Sequence, residues 1–232
     1  MIIFLITASY LLGSIPFGWL LPKILIGVDL RQEGSGATGG TNAFRVLQAR
    51  LGFRRGLLLA IIAGIADVSK AYLPTKLAVK LWPNKHWLHI FVASAATFGH
   101  TKSVFIGFKG GKAVSTTAGS FFAIANREPK LWHVLELSIG AFVGTIVGTK
   151  GIVSLGSLIG SVTGAFYSTR LSVQKKISRW YSLWIAFTAI YIWILHWPNV
   201  KRMVKRQEPR TLEEVFTNLE GLVVNCWRKI RN

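Results

Sequence analysis

The sequence predicts an all-α polytopic membrane protein with about seven transmembrane helices and cytoplasmic Gly-rich loops. Composition is the first ground: of 232 residues, 51% are hydrophobic, nine are Trp, and the mean hydropathy is +0.42, an excess that favours a chain with several membrane spans. The second is that apolar stretches of membrane-crossing length recur along the whole chain. The third is charge: a net +19 is scattered between those stretches instead of forming one basic face. That pattern fits loops held at a membrane surface and speaks against nucleic-acid binding.

The first stretch, 2–26, opens without a basic segment or a small-residue cleavage site, so it reads as a retained span and not as a leader. Further stretches follow at 55–74, 87–106, 112–126, 132–149, 151–168 and 179–197. The fourth is short for a crossing, and a re-entrant or tilted helix, leaving six full spans, is the alternative. Gly140, Gly144 and Gly148, then Gly156, Gly160 and Gly164, recur every four residues and predict two close-packing helix faces. Beyond residue 210, Leu212, Val215, Phe216, Leu219, Leu222, Val223, Trp227 and Ile230 recur at helical spacing beside Arg228, Lys229 and Arg231. We therefore expect one transmembrane domain over 1–210 and an amphipathic tail over 211–232 on the inner membrane surface, with a dimer contact or an unstructured tail as alternatives.

Orientation follows from the basic residues. With the N-terminus outside, 17 Lys and Arg lie on the cytoplasmic side and nine on the other, while Lys23 and Lys70 lie within spans. Lys175, Lys176 and Arg179 run against the bias. The single Cys226 excludes an intrachain disulfide and a cysteine-only metal site.

Two polar glycine runs fall on that cytoplasmic side. Gly34-Ser35-Gly36-Ala37-Thr38-Gly39-Gly40-Thr41-Asn42 is followed by Arg45, and Phe108-Lys109-Gly110-Gly111-Lys112 comes some seventy residues later. Glycines let backbone N–H groups converge on an anion, hydroxyls and an amide add donors, and Arg or Lys adds charge. Gly34, Gly36 and Gly39 spell G-x-G-x-x-G, yet they follow a membrane span and no acid lies about twenty residues on, which excludes a dinucleotide fold. Ile106 and Ala113 stand where a nucleotide P-loop needs Gly and Ser or Thr, so the second run is either an anion site of another kind, two lysines at a helix start, or a positive-inside anchor. His100 ends the third stretch, His196 and Asn199 end the seventh, and Ser154 and Ser157 open the sixth. Helix capping and interfacial placement are the plain readings of these, substrate hydrogen bonding the sharper one. The residues four and five after His100 are Val104 and Phe105, so the His-and-acid base of soluble-type glycerolipid acyltransferases is absent.

Together, Gly13-Ser14-Ile15-Pro16-Phe17-Gly18, the Gly34-to-Arg45 run, Asp67-x-x-Lys70, Gly99-His100, Phe108 to Lys112, Ser154-Leu155-Gly156-Ser157 and His196-x-x-Asn199-Val200-Lys201-Arg202 resemble the bacterial membrane-integral acyl-phosphate:glycerol-3-phosphate acyltransferases. Order and spacing agree over about residues 4–210. The resemblance implies seven spans in the bacterial plasma (inner) membrane and a cytoplasmic site moving a fatty acyl group from acyl phosphate to the 1-hydroxyl of glycerol-3-phosphate. The products are lysophosphatidic acid and phosphate. It implies catalytic roles for His100, Lys112, Arg45 and Ser35. Substrate binding falls to Gly34, Gly36, Gly39, Gly40, Thr41, Asn42, Lys109, Gly110, Gly111, Ser154, His196 and Asn199. Membrane lipid is the expected surrounding partner, and no cofactor or metal is expected. Either loop fits either phosphate, and the hydroxyl proton fits His100 or a substrate oxygen. The chain departs from the family pattern with Ala37 for Asn, Gly40 for Ala, Thr101-Lys102-Ser103 for a more apolar run, Ala113 for Gly and Arg206 for Gly. An organic-phosphate transporter and a catalytically silent scaffold are the rival readings of the same basic cavity.

Overall fold

Pro16 splits the first apolar stretch into two helices. The computed structural model describes residues 1–211 and 213, and the expected amphipathic tail lies almost wholly outside the described residues. Helix α1 (Ile2–Ser14) stops where Ile15 turns extended ahead of Pro16, because the proline ring crowds a helical conformation at the residue before it. Helix α2 (Phe17–Ile26) ends on Gly27 in the left-handed region. The rest are α3 (Gly40–Leu51), α4 (Phe53–Leu81), α5 (His86–Thr101), α6 (Val114–Ala125), α7 (Lys130–Gly148), α8 (Val153–Val173), α9 (Arg179–Leu195) and α10 (Trp197–Val204). A single 3-10 turn, Val104–Ile106, lies between α5 and α6.

Two helices were not expected. The expected Gly34-to-Arg45 loop ends early: α3 begins at Gly40, so Gly40, Thr41, Asn42 and Arg45 sit on a helix. Gly39 and Gly52 bracket it. Helix α10 continues past α9 after a 56° bend.

The number of crossings also differs from expectation. Among the described residues, Ile2–Ile26, Phe53–Leu81 and Lys130–Gly148 are long and apolar enough to cross a bilayer, and α9 with α10 makes a fourth if the bent pair is one span. Helices α5 and α6 have 16 and 12 residues, short of the ~20 that a hydrocarbon core needs. Helix α8 has 21 residues, but its serines, threonines and glycines dilute its hydropathy. The lipid-type surface is nevertheless broad: Phe4, Ile24, Ile65, Phe166, Leu183 and Ile190 all point outward.

Inside, Phe121, Ile124, Val134, Tyr181, Trp184 and Ile185 belong to one buried cluster that joins α6, α7 and α9. Glycine contacts bring backbones together elsewhere. A Cβ on Gly13 would overlap the Ala96 carbonyl and one on Gly99 the Tyr10 carbonyl, so α1 and α5 touch main chain to main chain. The expected small-residue face of α8 does pack closely, with Gly156 and Gly160 against Phe142 and Ser138 of α7. The matching face of α7 does not. Gly140, Gly144 and Gly148 meet nothing within 4 Å, because α7 turns Phe142, Ile146 and Ser138 toward α8.

Two of the departures from the family pattern acquire a physical meaning. Ala113 has φ 70° and Arg206 φ 57°, the left-handed region where a Cβ costs about 1–2 kcal/mol. Both positions carry Gly in the family pattern. Ala113→Gly and Arg206→Gly should therefore each stabilise the detergent-purified protein by on the order of 1 kcal/mol, seen as a raised thermal midpoint by intrinsic Trp fluorescence. A fall in midpoint for both would contradict the backbone described here.

Candidate active site

Three helix N-termini open into one cavity. Gly39, Gly40 and Thr41 begin α3, Val114 and Ser115 begin α6, and Val153 and Ser154 begin α8; all seven line a cavity of about 250 Å³. None of the three helices has a side-chain cap or an acid in its first turn. Their leading N–H groups and positive dipole ends are thus left for whatever enters, each interaction being worth about 0.3–1 kcal/mol.

Around these ends the fold gathers most of the residues expected from the sequence. Ser35, Gly39, Gly40, Thr41, Asn42, Arg45, His100, Lys112, Ser154, His196 and Asn199 all line the cavity. Gly34, Gly36, Lys109, Gly110 and Gly111 do not. Lys109 is exposed, and its carbonyl accepts from the Ser103 amide at 3.2 Å to close the loop. Gly110 and Gly111 act by having no side chain: a Cβ on the first would overlap the His100 carbonyl and one on the second the His100 ring. The Gly111 amide donates to that same carbonyl at 3.0 Å. The second glycine run is therefore laid directly on the C-terminal turn of α5, which is what delivers Lys112 to the cavity.

Asn42 is fully engaged within its own loop. Its Nδ2 donates to the carbonyls of Glu33 and Ala37 at 3.0 and 2.9 Å, and its Oδ1 accepts from the Ser35 amide at 2.9 Å. Only 2% exposed, it shapes the first glycine loop and holds Ser35 in place. Gly34 must lack a Cβ for Asn42 to fit.

The residue missed by sequence reasoning is Glu208. Its Oε1 accepts from Ser154 Oγ at 2.7 Å and Asn199 Nδ2 at 2.6 Å, and its Oε2 accepts from Arg202 Nε at 2.8 Å. Lys112 Nζ in turn donates to Asn199 Oδ1 at 2.7 Å. Arg45 Nε donates to Thr211 Oγ1 at 2.8 Å, while the Thr211 amide donates to the Gly151 carbonyl at 3.0 Å. The segment after α10 thus folds back and ties α3, α6, α8 and α10 together. One signal was available: Glu208 is the lone carboxylate between Glu136 and Glu213.

Charge sets the properties of this network. Burial opposes ionisation of Glu208, but hydrogen bonds from Asn199, Ser154 and Arg202 outweigh it and hold the carboxyl below its ordinary range. Burial pushes Lys112 down to about 8, with Glu208 opposing and Arg202 and Arg45 reinforcing the fall. Arg202 Nη2 is buried with no hydrogen-bond partner among the described residues. One carboxylate thus faces Lys112, Arg45, Arg202 and three helix ends, leaving a strong preference for anions.

His100 lines the cavity from a buried position, only 5% exposed. Asp67 of α4 approaches its Nδ1 to 3.8 Å, beyond hydrogen-bond reach. The carboxylate instead pairs with Lys70 at 2.7 Å, and Lys70 Nζ also donates to the Ile15 carbonyl at 2.6 Å. His196 donates Nδ1–H to the Ile192 carbonyl at 2.8 Å, which fixes the tautomer that leaves Nε2 free to accept. Among the described residues no group of three or more His, Cys, Asp or Glu comes together as a metal site.

A second, apolar cavity of about 240 Å³ lies between α6, α7, α8 and α9 and shares Val114, Ala118, Phe142 and Ser157 with the first. A cavity lined by cations and helix N-termini thus shares a wall with an apolar groove wide enough for a hydrocarbon chain.

A sequence model described as glycerol-3-phosphate acyltransferase matches residues 3–206. The chain belongs to that family. A glycerol-3-phosphate acyltransferase of Trichormus variabilis is 34% identical over 93% of this chain and 94% of its own length. One from Maridesulfovibrio salexigens is 35% identical over 89% and 95%. Among solved structures, the glycerol 3-phosphate form of PlsY, an integral membrane glycerol 3-phosphate acyltransferase, superposes with a TM-score of 0.76 at 32% identity, covering 93% of this chain and 98% of that one. The lysophosphatidic acid form of PlsY gives 0.74 at 31% identity. The family's architecture therefore extends over both cavities, and this chain is an all-helical integral membrane protein of that type.

The position of Lys112 gives a pH signature. Its ammonium is charged below about 8 and neutral above it, so anion binding weakens as pH rises through that value. We expect kcat/KM, which reports the free enzyme, to fall above pH 8. Lys112→Arg, charged throughout, should keep activity level to at least pH 9. An unchanged high-pH fall in that variant would assign the titration to another group.

Proposed function

We propose that the protein transfers a fatty acyl group from an acyl phosphate to the 1-hydroxyl of sn-glycerol-3-phosphate, at a cytoplasm-facing site in a bacterial plasma membrane. The observation that carries this reading is the continuity of a cationic cavity, ringed by helix N-termini, with an apolar groove. A phosphate-bearing head and a hydrocarbon tail can then occupy the two parts at once, with the acyl carbonyl near Val114, Ala118, Phe142 and Ser157. The names of the relatives and the two PlsY forms support the acceptor and the product. The bias of basic residues toward the side of both glycine loops supports the cytoplasmic placement.

An acyl phosphate is a mixed anhydride, so the protein needs to align, desolvate and neutralise charge more than to activate. The acceptor's 1-oxygen attacks the acyl carbonyl carbon and forms the new ester bond. The bond from that carbon to the phosphate oxygen breaks, and the hydroxyl proton leaves with the phosphate, on one of its oxygens. Arg45 and Lys112 carry the phosphates, Ser35 and Ser154 offer hydroxyls, and His196 Nε2 is free to accept from a glycerol hydroxyl. His100 supports the second loop from behind. No covalent enzyme intermediate is needed, and the apolar groove keeps the chain in contact with lipid.

The test uses detergent-purified protein with palmitoyl phosphate. Phosphate release should depend on added glycerol-3-phosphate, and Arg45→Ala or Lys112→Ala should lower kcat/KM by two orders of magnitude or more, about 3 kcal/mol at ~1.4 kcal/mol per decade. Activity with acyl thioesters but not acyl phosphate would overturn the donor assignment. Flux of glycerol-3-phosphate into proteoliposomes without any donor would favour a transporter. For the groove, Ala118→Trp should raise KM for palmitoyl phosphate far more than for butyryl phosphate. An equal effect on both donors would remove the chain from that groove.

A further inference from the structure

The crease between α8 and α9 holds a cavity of about 730 Å³, larger than either of those above and separate from them except for a shared Ala189. Its walls are apolar, with Phe166, Val173, Ile190 and Ile194 strongly exposed. One end is different: Arg170 and Gln174 close it. The next residues are Lys175, Lys176 and then Arg179, all exposed. Among the described residues none of these four cations makes an ion pair.

The backbone concentrates them. The Lys176 amide donates to the Leu171 carbonyl at 2.9 Å and the Lys175 amide to Ser172 at 2.9 Å, closing α8 in a tight reversal with Lys175 left-handed at φ 55°. The cluster also lies at the far end of the molecule from the active site. Ser154 and Arg170 are sixteen residues apart on one helix, about 24 Å at ~1.5 Å per residue. These are the cations that run against the positive-inside bias. A basic cluster there, without an ion-pair partner among the described residues, calls for an anion that the membrane itself supplies. Trp180, 47% exposed beside Arg179, has the aromatic character found at headgroup depth. From Arg170 back to Val162 the apolar wall runs about 12 Å, enough for much of one acyl chain.

We propose that this crease is a docking site for an anionic glycerophospholipid, with an acyl chain along α8 and α9 and its phosphate at Arg170, Lys175 and Arg179. The groove supplies chain contact, the unpaired cations supply headgroup choice, and the site is distinct from the one that performs acyl transfer.

The test is thermal unfolding of the full-length protein in neutral detergent, with saturating glycerol-3-phosphate present throughout to fill the transfer site, on adding dioleoyl phosphatidylglycerol, dioleoyl phosphatidylcholine or inorganic phosphate. Phosphatidylglycerol should raise the midpoint by several degrees, while the other two leave it within about 1 °C. Arg170→Gln/Lys175→Gln/Arg179→Gln should erase the phosphatidylglycerol shift and leave detergent-phase acyl transfer unchanged. Val162→Trp, which fills the groove without touching charge, should also reduce the shift. Equal stabilisation by both lipids, a shift with inorganic phosphate alone, or a full shift in the charge variant would overturn the proposal. If the triple variant does not fold, the Val162→Trp result decides it. The readout needs no turnover, so failure of the acyl-transfer reading would leave this result intact.

Discussion

Three uncapped helix N-termini facing one cavity are the constraint on which the rest of the molecule depends. Each helix ordinarily ends with its first N–H groups turned to water or to a side-chain oxygen. Here α3, α6 and α8 point theirs at the same space, with Arg45 and Lys112 beside them. Such an arrangement repels itself when empty. Glu208 is the internal answer, a carboxylate held by Ser154, Asn199 and Arg202 that offsets part of the positive field while bracing the segment after α10.

Bringing three helix ends together requires close main-chain contact, and glycine provides it. Gly18 lies against the Thr38 carbonyl, Gly119 against Val68, and Gly110 and Gly111 against His100. The first glycine loop is fastened by Asn42, the second by the α5 backbone, and a Cβ placed on Gly39 would lie 3.9 Å from the Gly111 Cα. The two runs that stand some seventy residues apart in sequence thus touch in space. The buried Asp67–Lys70 pair, which also holds Ile15 at the break between α1 and α2, fixes the floor beneath them.

Much of this was legible in the sequence, and the parts that were not have physical reasons. Apolar stretches located α1 with α2, α4, α7, α8 and α9 because long segments carry their own hydropathy signal. The number of crossings was not legible, since α5 and α6 are short and α8 is rich in hydroxyls. Helix α3 was hidden by its glycine-rich start: the capping glycine and the helical Thr41-Asn42 look like loop until Phe44, Val46 and Leu47 are seen packing inward. Ser35, Arg45, Lys112, Ser154, His196 and Asn199 were expected because their chemistry suits phosphate, and the fold brings all six to one cavity. Lys109, which has the same chemistry, faces outward, and only the fold separates it from Lys112. Glu208 was missed because a search for anion binders passes over carboxylates.

The central claim is that both glycine runs belong to one anion site. Hydrogen–deuterium exchange of the detergent-solubilised protein, with and without saturating glycerol-3-phosphate, tests it most directly. Backbone amides in residues 34–42 and in residues 109–115 should slow together, with one concentration dependence. Protection confined to one run, or saturation of the two at different concentrations, would contradict a single shared site.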